Sequence, residues 1–537
     1  MFDSSTSENP TSLAAGRTSD PAALTFLILT LSACGMAALL ALLPAAGHDQ
    51  MWLLYAARLM LHGAPLYGSQ VFETNPPLIV WLSTVPSALS SLTSIPDTTL
   101  GKCFVVALEV GIAALCLRLL RIARPTLTPA AGYALAFAYV VAVAVMPARD
   151  FGQRDHFLAL FLLPYLFAAA LRFEARPVPR TLAFLIGTLA LLGVVLKPHQ
   201  LLVVISVEAF LLLAPAPRLQ RIVRSEMQAM LVAGLLFLAA IRQFAPLYWS
   251  VIVPIERDTY WAYGQRTHLE LFGDAIQLHL LAVACIALAV SLGWRSTSAI
   301  ARTLLVAGLA ATLAFHLQGT GWYYHQLPAL IFLSLAFALL LLDLGDRRHG
   351  TFPRWTPVAA AGLALLALTL TTHFMNYPFT DARSFPVDTP APVLFANLPH
   401  GAAVLTLSPT VDDTIQPIFK YHLTLGERYP ALLMMPALLR SEDPQTPADR
   451  KPHITPARLA ELDRLQHQFM VEDLERWHPA LILVQRCQDP AVHCQVLEDR
   501  HDDLLAFFTR DPAFAAIFAH YHYEQRSGPY DAYTLTH

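Results

Sequence analysis

The sequence predicts an α-helical polytopic membrane protein with about eleven transmembrane helices and a small α/β domain at its C-terminal end. Of its 537 residues, 55% are hydrophobic and 14% are charged, and the mean hydropathy is +0.48. Soluble domains carry charged residues at nearly twice this rate, so most of the chain is expected to lie in a bilayer. The net charge of −3 leaves no excess of basic residues, and nucleic acid is therefore not an expected partner.

The predicted spans are apolar runs that can cross, or nearly cross, the hydrocarbon core as helices. The first of them, residues 23–46, follows a polar tail, residues 1–22, which is expected in the cytoplasm. The other predicted spans are residues 103–120, 130–146, 157–171, 181–196, 201–214, 227–241, 275–292, 303–317, 327–342 and 358–372. Together they define a membrane domain, residues 23–375.

The orientation of these spans depends on the segment 77–92, which is apolar but rich in serine and interrupted by Pro86. If this segment crosses the membrane, the basic cluster that begins at Arg118 falls outside, and each later basic cluster follows it. If it lies in the outer interface, all these clusters become cytoplasmic, as the positive-inside rule prefers. We therefore expect the first outer loop, residues 47–102, to contain an interfacial helix.

Beyond the last span the composition becomes polar, and residues 376–537 are expected to form a folded α/β domain. Residues 401–408 and 479–487 have the pattern of short buried strands, and an amphipathic helix is predicted between them. An odd number of spans places this domain outside the cytoplasm. Cys487 and Cys494 lie within it and are expected to form a disulfide only in an oxidising compartment.

The outer loops combine acidic, basic, histidine and aromatic side chains beside apolar helices, whereas the inner loops are plainly basic. Mixed charge of this kind in a membrane protein is typical of a functional site. Some of these residues also have a structural explanation: Arg154 and Asp155 are compatible with a surface ion pair, Lys197 with a lysine reaching the interface, and Tyr324 with an aromatic belt. We favour a functional role for Asp49, because it follows an apolar helix directly.

Three motifs resemble the GT-C membrane glycosyltransferases, specifically the polyprenyl-phosphate-sugar-dependent branch with protein O-mannosyltransferases and bacterial lipid A aminoarabinose transferases. They are an acid after the first helix followed by YAARLMLHGAPLYG and ETNPPL, the stretch from Arg149 to Asp155, and YYHQLPAL. The resemblance covers roughly residues 1–340. It implies that Pro-Pro-Leu begins a juxtamembrane helix. One departure is that the family often has two adjacent acids in this loop, whereas here His48 precedes a single Asp49.

The resemblance implies an inverting transfer of a sugar from a polyprenyl-phosphate donor to an envelope glycan, lipid or protein acceptor, at the outer face of a bacterial inner membrane. Such a reaction needs a carboxylate that takes the proton of the attacking hydroxyl and cations that stabilise the departing phosphate. The candidate base is Asp49. Glu73 and Asp155 are candidates to orient the acceptor, to pair with the cations or to hold a divalent metal ion; no cofactor is firmly implied.

The remaining candidates follow from the same chemistry. Guanidinium and ammonium groups bind phosphate oxygens, so the candidates for the donor phosphate are Arg149, Arg154, Lys197, Arg257 and Arg266. The candidates for other substrate contacts are His48, His199, Tyr324 and His325.

A multi-pass transporter or flippase of a lipid-linked or small polar substrate is the alternative. Its main support is Glu109 and Glu208, two acids inside apolar helices, where an unpaired charge is costly. The sequence shows no inverted repeat of the kind that many transporters contain. A polysaccharide ligase or polymerase would use the same donors, but the ETNPPL loop argues against it.

Overall fold

The computed structural model describes residues 21–42, 46–213, 224–264, 266–347, 392–411, 415–444, 446, 454–492, 494, 497 and 501–536. These residues form a bundle of mainly apolar helices and, after residue 391, a five-stranded sheet with its own helices. The predicted span 358–372, the predicted domain boundary at residue 376 and most of the predicted tail 1–22 lie outside the described residues.

The first part of the chain is helical, and each predicted span before residue 358 coincides with a helix. The helices are α1 (Pro21–Leu42), α2 (His48–Leu61), α3 (Leu78–Thr93), α4 (Asp97–Ala123), α5 (Pro129–Val140), α6 (Arg154–Phe173), α7 (Arg180–Leu196), α8 (Leu201–Leu211), α9 (Ser225–Phe244), α10 (Val253–Thr259), α11 (His268–Asp274), α12 (Ile276–Leu292), α13 (Ala299–Gln318) and α14 (Leu327–Arg347).

Within the described residues, 6 helices are long and apolar enough to cross a membrane, and the number is 7 if α11 and α12, which meet at a bend of 84°, form one span. Helices α5, α7 and α8 are shorter but equally apolar. The protein is therefore a multi-pass membrane protein.

Helix α3 is the segment that determines the predicted topology. It has 16 residues and begins directly after Pro77. At about 1.5 Å per residue it extends about 24 Å, which is less than the hydrocarbon core of about 30 Å. Its buried residues Leu78, Ile79 and Val80 belong to the core that α3 shares with α2. This packing fits the interfacial helix expected from the sequence.

Helix α6 forms the centre of the bundle and fixes the position of the loop that precedes it. Nearly all of its side chains are buried, from Asp155 to Leu171. Gly193 of α7 allows close packing, because a Cβ atom there would lie 3.2 Å from the Leu158 carbonyl oxygen. The N-terminal end of α6 is thereby held in place under the outer loops.

The arginines of the predicted inner loops gather at one end of the bundle. Arg124, after α4, forms ion pairs with Asp343 and Asp346 near the end of α14, and Arg172 of α6 lies 3.0 Å from Glu226 of α9. The starts of α2 and α6 and the end of α7 lie at the opposite end. The candidate residues of the outer loops are therefore separated from the basic end by the length of the helices.

The C-terminal part is a mixed α/β domain. Its helices and strands are α15 (Pro392–Ala396), β1 (Ala403–Leu407), α16 (Ile415–Lys420), β2 (Thr424–Leu425), α17 (Met435–Glu442), α18 (Pro456–Trp477), β3 (Leu481–Gln485), α19 (Leu504–Phe508), α20 (Pro512–Phe518), β4 (Tyr521–Ser527) and β5 (Tyr530–Leu535). The strand order is β2-β1-β3-β5-β4, in which β1 is parallel to β2 and β3 while β5 is antiparallel to β3 and β4. Cys487 and Cys494 form a disulfide.

The C-terminal domain packs directly against the outer loops of the bundle. The Tyr55 hydroxyl accepts a hydrogen bond from the Leu425 backbone N–H at 3.0 Å, and the Phe72 N–H donates to the Arg428 carbonyl at 2.8 Å. One hydrophobic core contains buried residues of α2, α3, the first loop and the sheet. The domain is therefore an integral part of the end of the molecule that contains the predicted outer loops.

The contact between α7 and α9 depends on Gly187, where a Cβ atom would lie 2.2 Å from the Glu226 carbonyl oxygen. We expect Gly187→Ala to lower the free energy of unfolding by about 1–3 kcal/mol, because overpacking forces the two helices apart. Thermal unfolding of the purified protein in detergent measures this change. Gly111→Ala is the matched control, since no atom lies within 4 Å of its added Cβ. Equal melting temperatures for the two variants would contradict the packing described.

Candidate active site

A polar cavity of about 670 Å³ lies between the outer loops and the C-terminal domain. Its floor and sides come from α2, the first loop, the start of α6, α10 and the segment before α14. The C-terminal domain contributes Thr410, Ala431, Leu433 and Arg440. Of the residues singled out in the sequence, this cavity brings together His48, Asp49, Glu73, Arg154, Arg266 and Tyr324.

Asp49 lies in the first turn of α2, where the backbone N–H groups favour a negative charge. Its Oδ2 accepts a hydrogen bond from Gln153 Nε2 at 2.9 Å, and its Oδ1 lies 3.2 Å from His48 Nε2. Burial raises the pKa of Asp49, but His48, Arg154 and Gln153 outweigh this effect and hold it well below its usual range. Asp49 is therefore ionised at neutral pH, as a proton acceptor has to be.

Glu73 is held rigidly within the first loop. Trp52 Nε1 donates a hydrogen bond to Oε2, and both the backbone N–H (2.8 Å) and the side-chain amide of Asn75 donate to Oε1. Burial raises the pKa of Glu73, while Arg154 and these donors lower it. The acid and the amide of ETNPPL therefore form one local unit, which explains why the two residue types occur two positions apart.

Glu256 lines the same cavity from α10 and was not among the candidates that the sequence suggested. Burial and the nearby Glu73 raise the pKa of Glu256 to about 8, against the lowering effect of Arg154. At neutral pH this carboxyl therefore carries a proton. The sequence offers only a mixed-charge loop here and does not tell which side of α10 faces the cavity.

Arg154 is the first residue of α6 and lies close to all three of these acids. It interacts electrostatically with Asp49, Glu73 and Glu256. Because it also lines the cavity, its guanidinium can bind the two oxygens of a phosphate.

Asp155 lies on a different side of α6 from Arg154 and points into the bundle. Its side chain is fully buried, and its Oδ2 lies 2.7 Å from Lys197 Nζ. The Lys197 ammonium also lies 5.2 Å from the centre of the Tyr324 ring. Asp155 and Lys197 thus form a buried ion pair behind the cavity wall, and Tyr324 connects this pair to the cavity.

The other candidates occupy several positions. His325 is buried, with Nδ1 2.5 Å from the Thr320 hydroxyl and Nε2 3.2 Å from the Gln318 amide. Arg266 lies at the cavity edge, 3.8 Å from Asp274. The Arg257 side chain is 74% exposed and pairs with Asp258, and His199 is exposed at the start of α8. The side chain of Arg149 lies outside the described part of the chain.

Glu73 and Asp155 were suggested as ligands of a divalent metal ion. The two acids have separate partners in the structure and do not form one shared site. Within the described residues, no group of three or more His, Cys, Asp or Glu side chains is arranged to hold a metal ion.

A second, apolar cavity of about 940 Å³ lies between α1, α4, α5, α6 and α14. The turn before α6 separates the two cavities: Asp150 lines the polar cavity and Phe151 lines the apolar one. Glu109 is in the wall of the apolar cavity, whereas Glu208 binds Tyr165 and Arg224 near the basic end of the bundle. The two intramembrane acids therefore lie in separate parts of the bundle.

The raised pKa of Glu256 makes the stability of the protein depend on pH. Between its ordinary pKa of 4.5 and about 8, the folded protein retains a proton that the unfolded chain has released. The free energy of unfolding therefore falls as pH rises through this window. We expect Glu256→Gln to remove this pH-dependent loss of stability. The melting temperature of the variant minus that of wild type should therefore increase between about pH 5 and about pH 9. Glu461→Gln, at a half-exposed carboxylate, is the control. Parallel curves of melting temperature against pH for E256Q and wild type would contradict the raised pKa of Glu256.

In fold, the chain is similar to the solved structure of ArnT from Cupriavidus metallidurans bound to undecaprenyl phosphate, with a TM-score of 0.53, 11% identity, and 95% of this chain and 97% of that chain covered. The archaeal oligosaccharyltransferase AglB from Archaeoglobus fulgidus, in complex with an inhibitory peptide and a dolichol-phosphate, matches with a TM-score of 0.47, 12% identity, and 94% of this chain and 74% of that chain covered. No protein-family model and no curated protein matches the sequence. The likeness to ArnT confirms the fold class predicted from the sequence, a bundle of membrane helices followed by an α/β domain with a mixed sheet.

Proposed function

We propose that this protein is an integral-membrane glycosyltransferase that moves a sugar from a polyprenyl-phosphate donor to an envelope glycan, lipid or protein acceptor. The observation that carries the proposal is the pairing of an ionised carboxylate, Asp49, with a guanidinium, Arg154, in a polar cavity that adjoins an apolar one. The ArnT structure of similar fold holds undecaprenyl phosphate, a phosphate on a long apolar chain, which corresponds to the leaving group of the proposed reaction. An apolar cavity beside a cationic group suits a molecule of this kind.

In the proposed reaction, Asp49 takes the proton of the acceptor hydroxyl as its oxygen attacks the anomeric carbon of the sugar. The bond between that carbon and the phosphate oxygen breaks, and the electron pair leaves with the phosphate. Arg154 stabilises the charge that develops on the phosphate. The leaving group departs as an anion and needs no general acid, so a single displacement with inversion is sufficient.

Glu73 supports this reaction in a different way from Asp49. Both of its carboxylate oxygens already accept hydrogen bonds, from Trp52 and Asn75, so it is poorly placed to accept a further proton from substrate. Its electrostatic interaction with Arg154 instead holds the guanidinium in the cavity. Tyr324 and Arg266 provide wall contacts, and Asp155 and Lys197 support Tyr324 from behind.

The C-terminal domain is proposed to contact the acceptor. Its residues Thr410, Ala431 and Arg440 line the polar cavity opposite the membrane helices. The apolar cavity lies between helices of the bundle, so the lipid-linked donor and the acceptor would approach Asp49 from different directions.

We expect Asp49→Asn to lower sugar transfer by about 10²- to 10⁴-fold, because the variant cannot take the hydroxyl proton. Mass spectra of lipids and envelope glycans from a deletion strain, restored with wild type or with Asp49→Asn at equal membrane level, measure this change. The deletion and D49N strains should lack the same sugar and accumulate its polyprenyl-phosphate donor. Asp346→Asn, the same chemical change at an exposed residue of the basic end, should restore the glycan. Full restoration by D49N would remove Asp49 as the base.

We propose that the cavity lies at the outer face of a bacterial inner membrane. In this topology the C-terminal domain is outside and the N-terminal tail is inside, and chemical labelling tests it directly. Arg257 and Asp346 are similarly exposed, with 74% and 69% of their side chains accessible, but lie at opposite ends of the bundle. In a chain whose four free cysteines are replaced by serine, a cysteine introduced at one of these two positions should react differently from one at the other with a membrane-impermeant maleimide. We expect Arg257→Cys to react in cells whose outer membrane alone is permeabilised, and Asp346→Cys only after lysis. The reverse pattern would invert the topology.

A further inference from the structure

A buried histidine beneath the cavity has no part in the chemistry proposed so far. His156 lies in the first turn of α6, and its side chain is fully buried. Its ring centre is 5.4 Å from that of Phe151, in the turn that separates the polar cavity from the apolar one. The contacts of its two ring nitrogens therefore show what a buried imidazole does at this position.

One ring nitrogen of His156 binds the backbone of the turn. The Gly152 N–H donates a hydrogen bond to His156 Nδ1 at 3.1 Å. The backbone of Gly152 has a φ of +82°, which favours glycine, and an added Cβ would lie 2.8 Å from Gln50 Nε2. The peptide at Gly152 is thus confined between His156 and Gln50.

The other ring nitrogen of His156 faces an acid. Since Nδ1 accepts a hydrogen bond, the neutral ring carries its proton on Nε2, which lies 3.4 Å from Glu109 Oε1. The Val143 carbonyl also interacts with the ring. Glu109 is itself anchored, because its backbone carbonyl accepts a hydrogen bond from the Tyr139 hydroxyl at 2.8 Å. Among the described residues neither His156 Nε2 nor Glu109 Oε1 has a hydrogen-bond partner, so Glu109 acts on the ring by proximity and does not anchor it; the anchor is the hydrogen bond from the Gly152 N–H.

The turn held in this way carries two residues of the proposed site. The Gln153 N–H donates to the Asp150 carbonyl at 3.0 Å, and its side-chain amide donates to Asp49. Arg154 is the next residue and begins α6. A change in the orientation of the Gly152 peptide would therefore move both the donor that orients Asp49 and the guanidinium.

We propose that His156 is a positioning residue that fixes the turn 150–153, through its hydrogen bond with the Gly152 N–H, so that Gln153 contacts Asp49 and Arg154 faces the cavity. The inference deepens the proposed function and rests on it for the role of Asp49. The inference also places Glu109 next to a positioning residue behind the proposed active site. From the sequence, Glu109 was instead a candidate for the proton path of a transporter.

The first experiment tests the contact without any substrate. Hydrogen exchange is measured by mass spectrometry on peptides that contain Gly152, with the purified full chain in lipid nanodiscs. His156→Leu removes the acceptor for the Gly152 N–H, and exchange should become about tenfold faster. His156→Asn offers an oxygen near the position of Nδ1 and should restore protection. His279→Leu is the matched control, because His279 is a half-buried membrane histidine that binds His316.

The second experiment tests the consequence for transfer, with the glycan mass spectra of the restored deletion strain. His156→Leu should lower transfer about tenfold or more, and His156→Asn should recover most of it. If His156 acts through Gln153, the double variant His156→Leu/Gln153→Ala should be no worse than the more impaired single variant. Losses that multiply, or equal activity of H156L and H156N, would overturn the positioning role.

Failure of the proposed function has a separate signature. If the deletion strain keeps every envelope sugar, the protein is not the proposed transferase, and the exchange experiment alone decides the structural inference. Unchanged exchange at Gly152 in H156L, with a folded protein, would overturn it. Faster exchange that H156N reverses would establish that His156 holds the turn, whatever reaction the cavity performs.

Discussion

The polar cavity depends on the positive charge of Arg154. Asp49, Glu73 and Glu256 all face this guanidinium, and three carboxyl groups at the edge of a lipid phase would otherwise repel one another strongly. Burial still raises the pKa of Glu73 and Glu256, whereas that of Asp49 falls. The negative charge is therefore concentrated on Asp49, which is also the acid oriented by Gln153.

Adjacent charged residues at the start of α6 have opposite surroundings. Successive side chains on a helix point in directions about 100° apart, so Arg154 lines the cavity while Asp155 enters the bundle. An unpaired carboxylate at that depth would be costly, and the Lys197 ammonium, 2.7 Å away, offsets much of this cost. The ion pair stiffens the wall behind Tyr324.

The sequence was sufficient to predict the long apolar helices, the buried strands β1 and β3 and the 456–477 helix, because apolar runs and amphipathic periodicity are local patterns. It also pointed to Asp49, Glu73 and Arg154, which the fold brings together. It could not indicate Glu256, since the register of a short loop helix decides which of Glu256 and Arg257 faces the cavity. Arg440 was equally inaccessible, because its position depends on the docking of a distant domain.

That docking has an evolutionary consequence. The residues closest to the proposed chemistry belong to the membrane bundle, whereas Thr410, Ala431 and Arg440 belong to a domain with its own sheet. Substitutions on the cavity-facing loops of this domain can reshape one wall without moving Asp49 or Arg154. If the proposed reaction takes place here, one catalytic arrangement can acquire new acceptors by drift in the sheet domain, where changes in polarity are tolerated far better than among lipid-facing helices.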